Sequence, residues 1–164
     1  LISLKLAMIN DLDANYILGF VDGEGSFNIS FIVREDYKSK IKVSPSFNIS
    51  QKEIKILEWI QSKFKCGTIR KRLDGVFYYE VQDLESLRKL ILPFFTKHHL
   101  KTKKFATFII FSQIVNLISE GKHLTKEGLL DIYDLREKIV VGRKRKYSRC
   151  EIENRLKNPQ RLHA

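Results

Sequence analysis

The stretch from Tyr16 to Phe27, YILGFVDGEGSF, carries apolar residues at helical spacing (Tyr16, Ile17, Phe20, Val21), then a small-residue stop, Gly23-Glu24-Gly25, then the opening of an alternating strand. One acid stands between two glycines at the junction. Upstream, Asp11 or Asp13 can cap a helix expected from about Leu12 to Val21 and ending near Gly23. Downstream, Phe27, Ile29, Phe31 and Val33 alternate with Asn28, Ser30, Ile32 and Arg34, which predicts a strand with one face buried. The polar loop EDYKSK (35–40) turns the chain into a second strand, where Val43, Pro45, Phe47 and Ile49 alternate with Lys42, Ser44, Ser46 and Asn48. Pro45 has no N–H to give to a ladder, so this strand is expected at a sheet edge or at a bulge.

The rest of the chain follows the same logic. Ile56, Leu57, Ile60 and Phe64 predict a helix over 53–65 stopped by Gly67, and TIRKR (68–72) and VFYYEVQ (76–82) flank Asp74-Gly75, a hairpin dipeptide. Asp83 caps a helix bearing Leu84, Leu87, Leu90 and Ile91, which Pro93 is expected to end or kink. A long apolar helix with Phe105, Phe108, Ile109, Val115 and Ile118 stops at Gly121, and Thr125 caps a last one carrying Leu129, Ile132 and Leu135. Trp59 and the Phe residues from 105 to 111 read as core, and His98 and His99 as surface. From Gly142 the basic GRKRKYSR and a polar tail predict a loosely ordered extension, so the expected organisation is a domain over 1–142 and an extension over 143–164. No repeat is visible.

Thirty Lys and Arg against nineteen Asp and Glu leave a formal charge of +11 in 164 residues, which points to a polyanionic partner. Cys66 and Cys150 lie far apart without metal-ligand spacing, as suits a reducing compartment. No run of about 20 apolar residues could cross a bilayer, and no signal-peptide pattern opens the chain, so a soluble intracellular protein without a membrane partner is expected. The sequence opens on Leu1 rather than Met, as would a trimmed chain or a reading frame continuous with something upstream.

The order helix, strand, strand, helix, strand, strand, helix, opened by ILGFVDGEG (17–25), resembles the LAGLIDADG homing endonucleases, over about Tyr16 to Gly142. The resemblance implies an α+β, αββαββα fold with a saddle-shaped antiparallel sheet that lies on double-stranded DNA and helices toward the C-terminus. The motif occurs once, which in this family implies that two identical chains complete the enzyme, with Ile17, Gly19, Phe20 and Gly23 at the helix pairing. Glycines four residues apart let helix backbones approach, which would bring each chain's Glu24 to the axis. Two carboxylates there, at helix C-termini, repel unless a cation lies between them. Magnesium, with manganese as a substitute, is the expected ion, held by Glu24 and the Gly23 carbonyl. The family more often has Asp at the Glu24 position. Gln51 in FNISQKE, Lys55 one helical turn on, and Lys101 and Lys103 in HLKTKK match supporting catalytic positions, placing water and stabilising the phosphate.

The outward strand positions, Asn28, Ser30, Arg34, Lys42, Ser44, Ser46 and Asn48, then Arg70, Arg72, Tyr78, Glu80 and Gln82, would read bases in the major groove. The 143–149 stretch and lysines off the sheet would hold phosphates. A polar strand face is ordinarily solvated surface, and DGEG alone is a turn without the alternating acids of a calcium loop; a helix before it and a strand after make the phrase specific. Asp22 matches a motif acid but is expected to support the helix end rather than bind metal. The implied activity is a double-strand break that initiates intron homing. The alternatives are a maturase that binds its own intron RNA and a DNA-binding regulator that does not cut. Richness in Lys, Ile, Phe and Asn fits an AT-rich gene and an organelle, mitochondrion or chloroplast, with a prokaryotic cytoplasm as the alternative.

Overall fold

The computed structural model describes residues 9–34, 36, 40–139 and 146–157. The elements are α1 (Asp11–Glu24), β1 (Gly25–Val33), β2 (Ile41–Gln51), α2 (Ile54–Phe64), β3 (Thr68–Lys71) and β4 (Phe77–Val81), then a short α3 (Leu84–Ser86), a π-helical turn (Leu87–Ile91), α4 (Leu92–Lys97), α5 (Lys104–Ser119), a 3-10 turn (Lys122–Leu124), α6 (Lys126–Glu137) and α7 (Arg149–Lys157). This is the expected α+β order. The four strands form one sheet in the order β1-β2-β4-β3, with β4 antiparallel to both its neighbours.

The chain packs as two compact units, one from residues before and through Asn28 together with Ser46–Ile109, the other from Ile29–Pro45 and the chain from Ile110 onward. In the first unit the core is aromatic. Phe27, Phe47, Phe64, Phe94, Phe95 and Phe108 are buried and pack ring against ring, with centroids as near as 4.9 Å between Phe94 and Phe95 and 5.2 Å between Phe27 and Phe47. Such offset and edge-on pairs add to the burial of large apolar area. Ala14, Ile17, Leu18 and Val21 turn one side of α1 into this core, and Leu57 and Ile60 do the same for α2. Gly67, at φ +77°, lies where a Cβ would come within 2.6 Å of the Tyr79 ring and 2.7 Å of the Glu80 carbonyl. Only glycine fits there.

In the second unit Ile41, Val43, Phe111, Ile114, Val115, Leu129, Ile132 and Ile152 are buried. Arg136 is buried too, its guanidinium 4.5 Å from the centroid of Phe31 and 4.4 Å from that of Tyr133, an arrangement in which the ring faces attract the cation. The Tyr133 hydroxyl donates to the Tyr147 carbonyl at 3.2 Å, and Arg149 forks onto Asp134, so α7 is anchored beside α6.

Several expectations change. Asn10, not Asp11 or Asp13, caps α1, its Oδ1 accepting the Asp13 N–H at 2.8 Å; an amide one residue earlier reaches the first free donors better. Asp83 and Thr125 cap as expected. Pro93 does not end its helix: the backbone stays αR through Ile91 and Leu92, and Pro93 falls just after a π-helical turn, in which the Leu92 N–H bonds the Leu87 carbonyl and the ladder is already rearranged. The β2–β4 register begins at Phe47, so β2 is an inner strand there while Pro45 lies beyond the pairing with β4. The tail is helical over Arg149–Lys157, whereas residues 140–145 and the loop positions 35 and 37–39 lie outside the described residues. Trp59 is only half-buried, edge-on to Tyr16 at 5.5 Å with Lys63 over its ring.

Candidate functional site

At the end of α1 the glycine–acid–glycine phrase resolves into three different jobs. Gly25 begins β1 directly from the helix, its N–H closing onto the Val21 carbonyl, and a Cβ there would meet Val21 Cγ1 at 2.6 Å. A larger residue would force the helix and strand apart. Gly23 is exposed, as is Gly19 one turn earlier, and a Cβ at either would meet nothing within 4 Å. With Leu12 80% exposed and Tyr16 54% exposed, positions 12, 16, 19 and 23 share an open helix face with two backbone-deep notches. Phe20 is half-buried beside that face and stacks on Tyr16. Ile17 does not belong to it: it is fully buried, because a residue two positions before Gly19 projects to the core side of the same helix.

Glu24 is exposed, but Asp22 is not a second loose acid. Its carboxylate accepts the Lys101 N–H at 2.7 Å, the Thr102 hydroxyl at 2.8 Å and the Thr102 N–H at 3.3 Å. Partial burial alone would raise its pKa; the hydrogen bonds from Lys101 and Thr102, with the Lys104 charge, prevail and hold it below its ordinary value. The expected supporting role of Asp22 is thus what the geometry gives it. The Lys104 ammonium in turn donates to the carbonyls of Val21 at 2.8 Å, Asp22 at 3.0 Å and Gly23 at 3.4 Å. Burial depresses the Lys104 pKa, against the pull of Asp22 and Glu24. α1 has no basic residue in its last turn, so this cation from α5 meets carbonyls that would otherwise be orphaned at the negative end of the helix. Sequence reading singled out Lys101 and Lys103 in HLKTKK and missed Lys104. The only signal was a helix end rich in acid and lacking a base.

The remaining site candidates are spread differently. Lys101, Lys103 and Lys55 are exposed, and the Gln51 amide oxygen accepts the N–H of Lys52 at 2.7 Å. Among the described residues none of these four hydrogen-bonds Glu24. His99 contacts the Thr96 carbonyl, and His98 packs on Phe94.

On β2, β3 and β4 in the first unit, the register sets Asn48 opposite Glu80 and Thr68 opposite Glu80, then Tyr78 opposite Ser50 and Arg70. These form polar rows on the face away from buried Phe47, Ile49 and Tyr79. Gln82 and Arg72 are exposed beside them, and Asn28 is half-buried, its amide on the Ser26 hydroxyl. In the second unit Ser30 and Arg34 are exposed, and Lys42 and Ser44 half-buried. Ser46 is a correction. It is 6% exposed, because burial breaks alternation over Pro45, Ser46 and Phe47, and it cannot offer its hydroxyl to a partner from that position. Arg34 forks onto Asp36 at 2.8 Å and Arg72 pairs with Asp74 at 3.0 Å; such exposed pairs are weak because water screens them.

The candidate metal donors are hard oxygens, the Glu24 carboxylate and the Gly23 carbonyl. They fit magnesium in kind. The Lys104 contact to Gly23 is the longest of its three and leaves that oxygen a second lone pair. Among the described residues no three His, Cys, Asp or Glu gather around one point.

Residues 17–115 match the LAGLIDADG endonuclease family model. The chain belongs to the LAGLIDADG endonuclease family. It is 37% identical over 135 residues to a probable intron-encoded endonuclease of Neurospora crassa, covering 80% of this chain but 30% of that relative, so it spans about a third of that protein's length. Among solved structures it is similar to the homing endonuclease I-TnaI, at 34% identity and a TM-score of 0.76 over 91% of this chain and 96% of the other. It is also similar to the archaeal intron-encoded homing endonuclease I-Vdi141I, solved in complex with DNA, at 27% identity and a TM-score of 0.83 over 90% and 96%.

Proposed function

We propose that this chain acts as a homodimeric, sequence-specific DNA endonuclease that makes a metal-dependent double-strand break at a long, nearly palindromic site and so initiates intron homing. The observation that carries the reading is the end of α1, where an exposed Glu24 adjoins a notched, open helix face while Asp22 is fully engaged within its own unit. Two copies meeting at Gly19 and Gly23 would bring two Glu24 carboxylates together, so that both could contribute to holding a metal. A two-fold enzyme favours a two-fold target. The family membership and the DNA-bound state of I-Vdi141I support the substrate class. The intron-encoded fungal relative supports homing, and a residue composition rich in Lys, Ile, Phe and Asn, as an AT-rich gene would encode, supports an organelle origin.

Glu24 and the Gly23 carbonyl would hold magnesium, for which manganese can substitute. The chemistry supplied by the bound ion is a water acidic enough to attack at neutral pH and neutralisation of charge on the phosphate. Gln51 would orient that water through its amide. Lys101 and Lys103 would offer ammonium groups to the phosphate oxygens, and Lys55 would do the same from the first turn of α2. The polar rows of the sheet would read bases, while the excess positive charge holds the backbone.

The test is cleavage of a randomised DNA library with magnesium, followed by Glu24→Gln on the selected target. The variant keeps size and hydrogen bonding but removes the charge, so cutting should fall by about 10³-fold or more while binding in calcium persists. Wild-type cleavage by Glu24→Gln would place the metal elsewhere. Binding without cutting by the wild type would favour a regulator, and preference for intron RNA a maturase.

A further inference from the structure

The hairpin of β3 and β4 ends in a closed turn. The Gly75 N–H returns to the Arg72 carbonyl at 3.1 Å, the Arg72 N–H reaches the Val76 carbonyl at 2.8 Å, and the Asp74 carboxylate accepts the Val76 N–H at 3.1 Å. Gly75, at φ +84°, takes the left-handed position that such a turn needs. At the apex stands Leu73, 110% exposed, more than any other large apolar side chain among the described residues. A single exposed leucine is ordinary on a protein surface. The setting of this one is not. Arg70, Lys71 and Arg72 run up to it, all exposed, against Asp74 alone, and Lys71, Arg72, Leu73, Asp74 and Tyr78 line one open depression. A polyanion held by those cations lies against an apolar apex.

We propose that Leu73 is a specificity-determining residue that packs on the 5-methyl group of a thymine in the major groove of the target duplex. The inference rests on the double-stranded DNA reading, to which it adds a base and the group that is recognised. A two-stranded β-ribbon fits the major groove, where the thymine methyl is the apolar group on the base edges. β3 and β4 make such a ribbon, with Arg70 opposite Tyr78 and Thr68 opposite Glu80 as polar pairs leading toward the turn. Those side chains can exchange hydrogen bonds with bases, whereas Leu73 can only exchange water for carbon. Burial against a methyl is favourable. Against the donors and acceptors of a purine edge it is not, because they would lose water without replacement. The three hydrogen bonds that close the turn also fix the apex in place, which lowers the ordering cost of the contact.

The test uses the full chain and a duplex selected from a randomised library by gel shift in calcium. Each thymine of that duplex is replaced in turn by deoxyuridine, which removes one methyl and keeps the base pair. Wild type should lose about three- to five-fold in affinity at one position of each half-site, and Leu73→Ala should be indifferent there. The variant should keep the wild-type Tm and the wild-type salt dependence, since an exposed apolar side chain supports no core and releases no counterion. Arg72→Ala should instead flatten the salt dependence. A wild type blind to uracil at every thymine overturns the contact, as does a Leu73→Ala protein that still tells thymine from uracil at the same position. Equal losses by Leu73→Ala on selected and unrelated duplexes would reveal a sugar contact or a wedge between bases, and overturn it too. A wild type that retains no duplex from the library overturns the DNA reading itself, and the thymine contact with it.

Discussion

Gly67 forbids a side chain on two counts. Its φ of +77° disfavours any Cβ, and the Tyr79 ring and Glu80 carbonyl already fill the space where one would go. Gly67→Ala should therefore destabilise the protein by about 2 to 4 kcal/mol, combining backbone strain with overpacking against backbone that cannot yield. Urea denaturation measures this; a change under about 0.5 kcal/mol would mean the β3 entry can shift freely. The neighbouring acids Asp22 and Glu24 make the opposite point. One is bound by three hydrogen bonds and one is exposed, although both are carboxylates in the same five-residue phrase. Ile17 and Ser46 also show where single positions escape a periodic rule, the first because a helix has two sides, the second because alternation fails around a proline.

At the scale of elements, the turn between α5 and α6 carries a titratable strain. His123, in the 3-10 turn, has Nδ1 buried without a hydrogen-bond partner among the described residues. Burial lowers its pKa below 6.5, against a hydrogen bond with the Ile118 backbone. The unfolded chain thus binds the proton more tightly, so the folded form has its full stability above pH 6.5 and loses some as pH falls from there toward the folded pKa. His98, whose pKa burial and Lys97 also lower, acts in the same sense. His123→Gln should flatten the difference in Tm between about pH 7.5 and about pH 5.5 relative to wild type. An identical pH slope in variant and wild type would mean that His123 is solvated in solution.

At the scale of the whole molecule, the proposed homodimer would pair two chains through the open face of α1. Since a Cβ at Gly19 meets nothing within 4 Å, Gly19→Leu should leave the fold of one chain intact and its Tm close to wild type. The same side chain would hold two helix backbones apart, so light scattering should report monomers, and DNA cleavage should be lost with them. Dimers that survive Gly19→Leu, or a wild type that is monomeric both free and on DNA, would refute pairing through this helix. The +11 charge acts on the same scale, giving affinity for a polyanion without choosing its sequence.

Sequence alone determined the order of elements, most caps, the hairpin at Asp74-Gly75 and the family, because periodicity, cap chemistry and the phrase at 17–25 are local properties of the chain. It also determined that Glu24 stands at a helix end. Tertiary structure decided which acid is exposed and which is consumed, that Lys104 rather than its neighbours closes α1, that Arg136 is sandwiched between Phe31 and Tyr133, and that Ser46 is hidden. Those outcomes depend on contacts between residues tens of positions apart. Three similar lysines within four residues can be told apart only once packing has fixed which one meets the orphaned carbonyls of a helix formed eighty residues earlier.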